Sequence, residues 1–233
     1  MAEESVQPVP CVFFVAIPMV VYCLSYIPHL APGGKVTFAR IWHAQEVMFN
    51  YHAGLKDDHF FQSPWWQWPL IIKPMWYYNA SFGESGTIST ILSFGNPAVW
   101  WTGLAAMVYV MARALLRRGM PALTRQGLVR DELDDNLIFL VLGFLAQYLP
   151  WVLVPRSTFI YHYFASVPFI ILATGQCFEY LRRRDVRAAK IAMGALLGIA
   201  LILFAGFYPL ASGATVPRAW GEAMNWFGNW MYY

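Results

Sequence analysis

Apolar residues in this chain come in long runs instead of the alternating or one-sided patterns of soluble strands and helices. The runs extend from about Val9 to Ile27, Pro97 to Leu116, Leu137 to Val154, Phe159 to Leu181 and Ile191 to Ala211. A run of about 18 or more apolar residues carries a helix across a hydrocarbon core of about 30 Å. The pattern predicts an all-α, polytopic membrane protein with about five crossings, read as a single membrane domain. Pro18 falls in the middle of the first run and predicts a kink there, which membrane helices tolerate. A long polar and aromatic stretch, residues 28–95, separates the first two runs, and an aromatic tail, residues 212–233, follows the last.

Within residues 28–95, Pro32-Gly33-Gly34 signals a turn. Phe38 to Leu55 has helix-forming composition and places Ile41, Gln45, Met48, Phe49 and His52 near one face, which predicts an interfacial amphipathic helix. Downstream, Trp65, Trp66, Trp68, Trp76, Tyr77 and Tyr78 crowd between Pro64, Pro69 and Pro74. Proline interrupts any long helix, and Trp and Tyr favour the headgroup region, so short pieces lying on the membrane surface are expected.

Charge sets the expected orientation. Arg113, Arg117, Arg118, Arg125 and Arg130 lie between the second and third runs, and Arg182, Arg183, Arg184, Arg187 and Lys190 between the fourth and fifth. Positive loops stay cytoplasmic, which places residues 28–95, the turn from Trp151 to Thr158 and the C-terminus outside or in a lumen. Composition agrees with a membrane protein: 58% of residues are hydrophobic, 18% aromatic and 12% charged. The net charge of +3 is too small to suggest a nucleic-acid partner. Cys11, Cys23 and Cys177 lie inside apolar runs and read as small hydrophobes without a disulfide framework. The acidic start Met1-Ala2-Glu3-Glu4 is unlike the basic opening of a cleaved signal peptide.

Arg156 is the leading candidate for chemistry. Pro155 suits the first turn of a helix, which would put Arg156 and the amides of Ser157 and Thr158 at a helix N-terminus at headgroup depth. Guanidinium and helix dipole together suit a phosphate; the competing reading is an arginine snorkelling to ordinary phospholipid. His162 would lie about 9 Å further along that helix, either as a satisfied core histidine or as part of a polar substrate pocket. His43 and His52 would face opposite sides of their helix at about 100° per residue, and with His59 they match no familiar zinc spacing, so no metal site is expected. Asp57 and Asp58 read as turn caps before they read as a general base. Glu46 and Glu84 are unassigned.

Taken in order, several segments resemble the C-terminal membrane region of the protein O-mannosyltransferase family, bacterial type. They are His52-Ala53-Gly54-Leu55, His59, Ser63-Pro64-Trp65-Trp66-Gln67-Trp68-Pro69-Leu70, Pro74-Met75-Trp76-Tyr77-Tyr78, Gly95-Asn96-Pro97, Trp100-Trp101, Leu149-Pro150-Trp151, and Arg156 through Pro168. The resemblance implies part of a GT-C glycosyltransferase that moves mannose from a polyprenyl-phosphate carrier to a protein serine or threonine hydroxyl. It implies lipid-phosphate and substrate binding at Arg156, His162, Tyr161, His59, Trp68 and Asn96, with polyprenyl-phosphate-mannose as donor substrate and no tightly bound cofactor. The family's catalytic acids belong to an N-terminal half with no counterpart here, so no residue inherits that role, and the chain is expected to be inactive alone. Implied partners are the lipid carrier, an acceptor protein, and a separate N-terminal half or homologous subunit. The implied setting is the bacterial plasma membrane, or the endoplasmic reticulum membrane in a eukaryote. Phe60 and Phe61 stand where the family has a Pro-Tyr or similar pair, and Ala165 where it has proline. The alternative is a non-catalytic lipid-binding or scaffold subunit of a cell-envelope assembly. A small transporter ranks lower, since the runs carry almost no midplane charge and no repeat.

Overall fold

The computed structural model describes residues 11–54, 58–80, 86–119, 137–228 and 230. They fall into two compact units, Met1–Lys56 and Asp57–Tyr233. The expected basic positions Arg125 and Arg130, and the acids Asp57 and Glu84, lie outside the described residues.

In the first unit, a composite helix α1 (Val12–Gly33) is long and apolar enough to cross a membrane. It opens with a π turn, Val12–Ala16, and runs on as α-helix from Ile17 to Ser25. Pro18 has no N–H, and its ring crowds the carbonyl four residues back; the wider turn just before it accommodates both defects. Helix α2 (Phe38–Gly54) matches the predicted interfacial segment. Of the face expected to be apolar, Ile41 is buried and Gln45 accepts a 2.6 Å hydrogen bond from Tyr22 of α1. Phe49, placed on that face by the sequence, is exposed, as are Phe38 and Trp42.

The second unit contains three more helices that meet the length and hydropathy of a crossing, making four among the described residues. These are α3 (Pro97–Gly119), α5 (Val167–Arg184) with its 3-10 lead-in Ile160–Ser166, and α6 (Val186–Ser212). The remaining predicted crossing is α4 (Leu137–Tyr148), continued by the 3-10 turn Leu149–Leu153. At about 1.5 and 2.0 Å per residue the two pieces span roughly 28 Å, just short of a hydrocarbon core. The ends of these helices are chemically marked. Asn96 Oδ1 accepts from the Ala98 amide at 3.1 Å at the start of α3, and Asp185 Oδ1 accepts from Ala188 at 2.9 Å at the start of α6. Gly213, with φ +81°, ends α6.

Small residues set the helix spacing. A Cβ on Gly103 of α3 would meet Ile170 of α5 at 2.9 Å, and one on Gly143 of α4 would meet Phe169 at 2.3 Å. Gly95 is tighter still, since a Cβ there would fall 1.8 Å from the Trp100 ring.

A feature the apolar pattern did not predict is a small antiparallel sheet in the aromatic stretch. Strands β1 (Met75–Ala80) and β2 (Thr87–Ser93) form a hairpin, and β3 (Thr215–Pro217) after α6 adds the third strand in the order β1-β2-β3. The three prolines that argued against helix all precede β1, and Thr87–Ser93 is rich in β-branched residues. Side chains of β2 seal the end of α6: Thr90 Oγ1 donates to the Leu210 carbonyl at 2.9 Å and Ser89 Oγ to that of Gly213 at 2.7 Å. These carbonyls have no partner within the helix, so the strand satisfies what the helix leaves open.

The core beneath the sheet is aromatic. Trp68, Trp76, Trp100, Tyr163 and Trp230 are almost wholly buried, so Trp68 and Trp76 of the expected headgroup belt are packed inside the protein. Trp230 Nε1 donates to the Ile71 carbonyl at 2.6 Å, and Trp76 Nε1 donates to the Trp230 carbonyl at 3.1 Å. Ile71 has φ +56°, a costly conformation for a β-branched residue, and the tail's indole helps hold it there.

Gly95→Ala overpacks the Trp100 contact and is expected to cost about 1–3 kcal/mol, read as a lower unfolding midpoint in detergent. Gly175→Ala in α5, where a Cβ meets nothing within 4 Å, should hold or raise the midpoint. Equal shifts in the two variants would contradict this packing.

Candidate functional site

Two segments distant in sequence are bracketed together ahead of α5. The Ser63 amide donates to the Thr158 carbonyl at 2.8 Å, and the Thr158 hydroxyl donates back to the Ser63 carbonyl at 2.9 Å. Trp68 Nε1 donates to the same Ser63 carbonyl at 3.0 Å and lies 3.1 Å from Ser63 Oγ. Ser63, Thr158 and Trp68 are all buried, where unpaired polar groups would be expensive.

This bracket changes the expected helix start. Val154 is extended, with φ −80° and ψ 113°, as a residue before proline prefers. Phe159 is extended too, with φ −143° and ψ 156°, and the first helical turn opens only at Ile160. Arg156 therefore lies in the loop before the helix, not at its N-terminus and not on one helix with His162. The amides of Ser157 and Thr158, expected at a helix N-terminus beside Arg156, therefore precede the first helical turn as well.

Onto this frame the protein gathers five of the six predicted site residues. His162 Nδ1 lies 3.1 Å from the Phe159 amide nitrogen and 2.9 Å from the Phe159 carbonyl, which fixes the ring across the first turn. Its ring stacks on Trp68, with centroids 5.8 Å apart, and packs against Trp151 at 4.1 Å and Tyr161 at 4.5 Å. His59 meets Phe159 edge-on at 5.1 Å and accepts at Nδ1 from the Phe61 amide at 3.2 Å. Arg156 is half-buried and close enough to Tyr161 and His162 for its charge to act on both. Among the described residues its guanidinium makes no hydrogen bond or ion pair.

Sequence reasoning missed the parts played by four residues. Phe159 stacks on Tyr161 at 5.4 Å, and the bracket residues Ser63 and Thr158 hold the two segments in register. The fourth is Tyr77. A β-bulge between Trp76 and Tyr78 makes Tyr77 an extra residue in β1, and its ring stacks on Tyr161 at 6.4 Å. Bulges commonly re-aim a side chain beside a functional site, and an aromatic doublet at a strand start is the signal that could have suggested it.

Asn96, the sixth, is committed elsewhere. Besides capping α3, its Nδ2 donates to the Ala200 carbonyl of α6 at 2.8 Å. It does border two apolar recesses. One of about 690 Å³ is lined by Phe94, Trp100, Phe164, Val167 and Pro168 among others, and one of about 140 Å³ by Leu203, Phe204 and Phe207 among others. Phe164, which lines the larger, lies two residues along the chain from His162. A half-buried cation beside a platform of ring faces suits a ligand with an anionic head.

The remaining candidates do local work. His43 Nδ1 lies 3.6 Å from Glu46 Oε2, and Glu46 also accepts from Trp42 Nε1 at 2.8 Å. Asp58 accepts from Gln62 at 3.1 Å. Among the described residues no three His, Cys, Asp or Glu side chains converge.

Residues 37–230 match a family described as the C-terminal four TMM region of protein-O-mannosyltransferase. Protein O-mannosyl-transferase 2 of Drosophila pseudoobscura pseudoobscura is 28% identical over 87% of this chain and 32% of its own length. The polyprenol-phosphate-mannose–protein mannosyltransferase of Mycolicibacterium smegmatis is 22% identical over 99% of this chain and 48% of its own. The chain thus spans about a third to a half of the length of these relatives. The fold resembles a chain in the structure of the Saccharomyces cerevisiae protein O-mannosyltransferase Pmt1-Pmt2 complex bound to the sugar donor. The TM-score is 0.70 at 21% identity, over 85% of this chain and 28% of that one.

Thr158→Val removes one bracket bond and is expected to cost about 1 kcal/mol of stability. Because the hydroxyl donates to a backbone carbonyl, the cost should be the same in a Ser63→Ala background, as a double-mutant cycle would measure. A cost that disappears with Ser63→Ala would show that the hydroxyl depends on the serine side chain instead.

Proposed function

Because this chain belongs to the protein O-mannosyltransferase family, as its C-terminal four-transmembrane region, we propose that it forms the carrier-binding part of a mannosyltransferase. The enzyme takes mannose from a polyprenyl-phosphate carrier and attaches it to a protein serine or threonine hydroxyl. The observation that carries this reading is the convergence of Arg156, Tyr161, His162, His59 and Trp68 on one face, with Arg156 free of any carboxylate among the described residues.

The chemistry assigns a distinct part to each group. Transfer breaks the bond between mannose C1 and the phosphate oxygen, forms the bond from C1 to the acceptor oxygen, and releases the hydroxyl proton. The departing phosphate gains negative charge as its bond to C1 breaks. A guanidinium already in place at Arg156 stabilises that charge more in the transition state than in the bound donor, which is how such a cation accelerates the step. The stacked Phe159, Tyr161 and Tyr77 offer ring faces to the apolar side of a sugar. His162 is held by Phe159 and Trp68, so it presents a fixed ring edge beside the same position.

The base that takes the acceptor proton is assigned to the N-terminal half, where the family resemblance puts the catalytic acids. The chain acts with an N-terminal catalytic portion and, as the paired relatives in the yeast complex suggest, with a homologous subunit. It is a multi-pass integral membrane protein. The positive loops put the aromatic face and the C-terminus on the outer or lumenal side.

In nanodiscs, Arg156→Ala should weaken polyprenyl-phosphate-mannose binding tenfold or more, a loss of about 1.4 kcal/mol. Arg156→Lys keeps the charge but loses the bidentate fork, and should fall between the two. Equal binding by wild type and Arg156→Ala would make Arg156 an ordinary snorkelling arginine and favour the scaffold reading.

A further inference from the structure

The turn joining α5 to α6 concentrates charge at a membrane boundary. Arg182, Arg183, Arg184, Arg187 and Lys190 stand within one short stretch, with Glu179 and Asp185 as the acids. Both acids are already engaged. Glu179 forms a bidentate pair with Arg182, with both N···O distances 2.7 Å, and takes Arg183 Nε at 3.3 Å. Asp185 is occupied by the Ala188 amide at the start of α6. Arg184, Arg187 and Lys190 are exposed and, among the described residues, make no ion pair or hydrogen bond.

Their surroundings select the partner. The turn joins two crossing helices, so these three cations stand where headgroups lie. Arg187 and Lys190 are three residues apart on α6 and so are neighbours on its surface. Exposed Val186 and Ile191 flank them. About two and three turns below Arg187 and within about 20° of its side of the helix, at about 100° per residue, Gly194 and Gly198 leave open space where side chains would stand. Cations above, apolar flanks and a shallow furrow descending into the bilayer match a phosphate with acyl chains attached, and a free phosphate would use only the cations.

We infer that the α5–α6 turn binds an anionic phospholipid, with its phosphate on Arg184, Arg187 and Lys190 and an acyl chain along the Gly194–Gly198 furrow of α6. The site involves none of the residues proposed to hold the mannose donor. Glu179 limits it by occupying Arg182 and part of Arg183, which gives the inference a sign that generic attraction to membranes does not share. Removing that carboxylate releases Arg182 beside the site and tightens binding.

The test is native mass spectrometry of the full chain in neutral detergent, titrated with phosphatidylglycerol or with phosphatidylcholine of the same acyl chains. Wild type should hold phosphatidylglycerol at least tenfold more tightly. R184Q/R187Q/K190Q should lose that preference, R184K/R187K should keep most of it, and Glu179→Gln should increase it about threefold. Arg156→Ala should leave it unchanged, which separates this site from the donor site. Equal retention of the two lipids by wild type, or a preference surviving in the triple glutamine variant, would overturn the inference. So would full competition by inorganic phosphate at the lipid's concentration, since the ligand would then be the bare anion. The unfolding midpoint of each variant in phosphatidylcholine shows whether it has folded, and R187Q alone serves if the triple variant has not.

Discussion

Two hydrogen bonds exchanged between Ser63 and Thr158, 95 residues apart, decide where every other group of the candidate site can stand. They hold the non-helical segment 154–159 beside the aromatic loop, and the helix opens only at Ile160. Trp68 joins them through its indole, and its ring becomes the surface on which His162 stacks. Had the helix begun at Pro155, the chain from Arg156 to His162 would be rotated and shortened, and Phe159 could not bridge His59 to Tyr161. The site's shape therefore rests on backbone pairing rather than on the residues that would touch a substrate.

The same economy recurs across the second unit. Indole N–H groups fasten irregular backbone where no regular ladder is available: Trp68 to Ser63, Trp101 to Leu70, Trp230 to Ile71 and Trp76 to Trp230. Non-helical backbone at the edge of a membrane must find its partners within the protein, and an indole supplies a donor together with a large apolar body. This explains why the loop is so rich in tryptophan. Several of those rings are structural fasteners under the sheet, while Trp66, Tyr77 and Tyr78 remain exposed.

The long crossings were legible in the sequence because lipid allows few alternatives to a sustained apolar helix. Asn96-Pro97, Asp185 and Gly213 likewise mark helix ends by ordinary capping chemistry. The hairpin was hidden because Met75–Ala80 reads as a membrane belt, and its bulge breaks the alternation that would identify a strand. Arg156, Tyr161, His162, His59 and Trp68 could be picked out from their resemblance to a family, and they do assemble. Their arrangement could not be read, because it depends on the bracket, and no local pattern announces a bond across 95 residues. Asn96 shows the opposite limit: it lies in a distinctive motif, yet its amide is spent on α3 and α6.

If the aromatic face around Arg156 receives the head of a lipid-linked sugar, as proposed, a photoreactive group on the sugar of a polyprenyl-phosphate-mannose analogue will crosslink there. With labelled peptides mapped by mass spectrometry, labelling should concentrate in residues 58–68, 75–80 and 151–163 and be suppressed by excess unlabelled donor. Labelling spread evenly over the lipid-facing helices, or confined to segments away from the Ser63–Thr158 bracket, would contradict it.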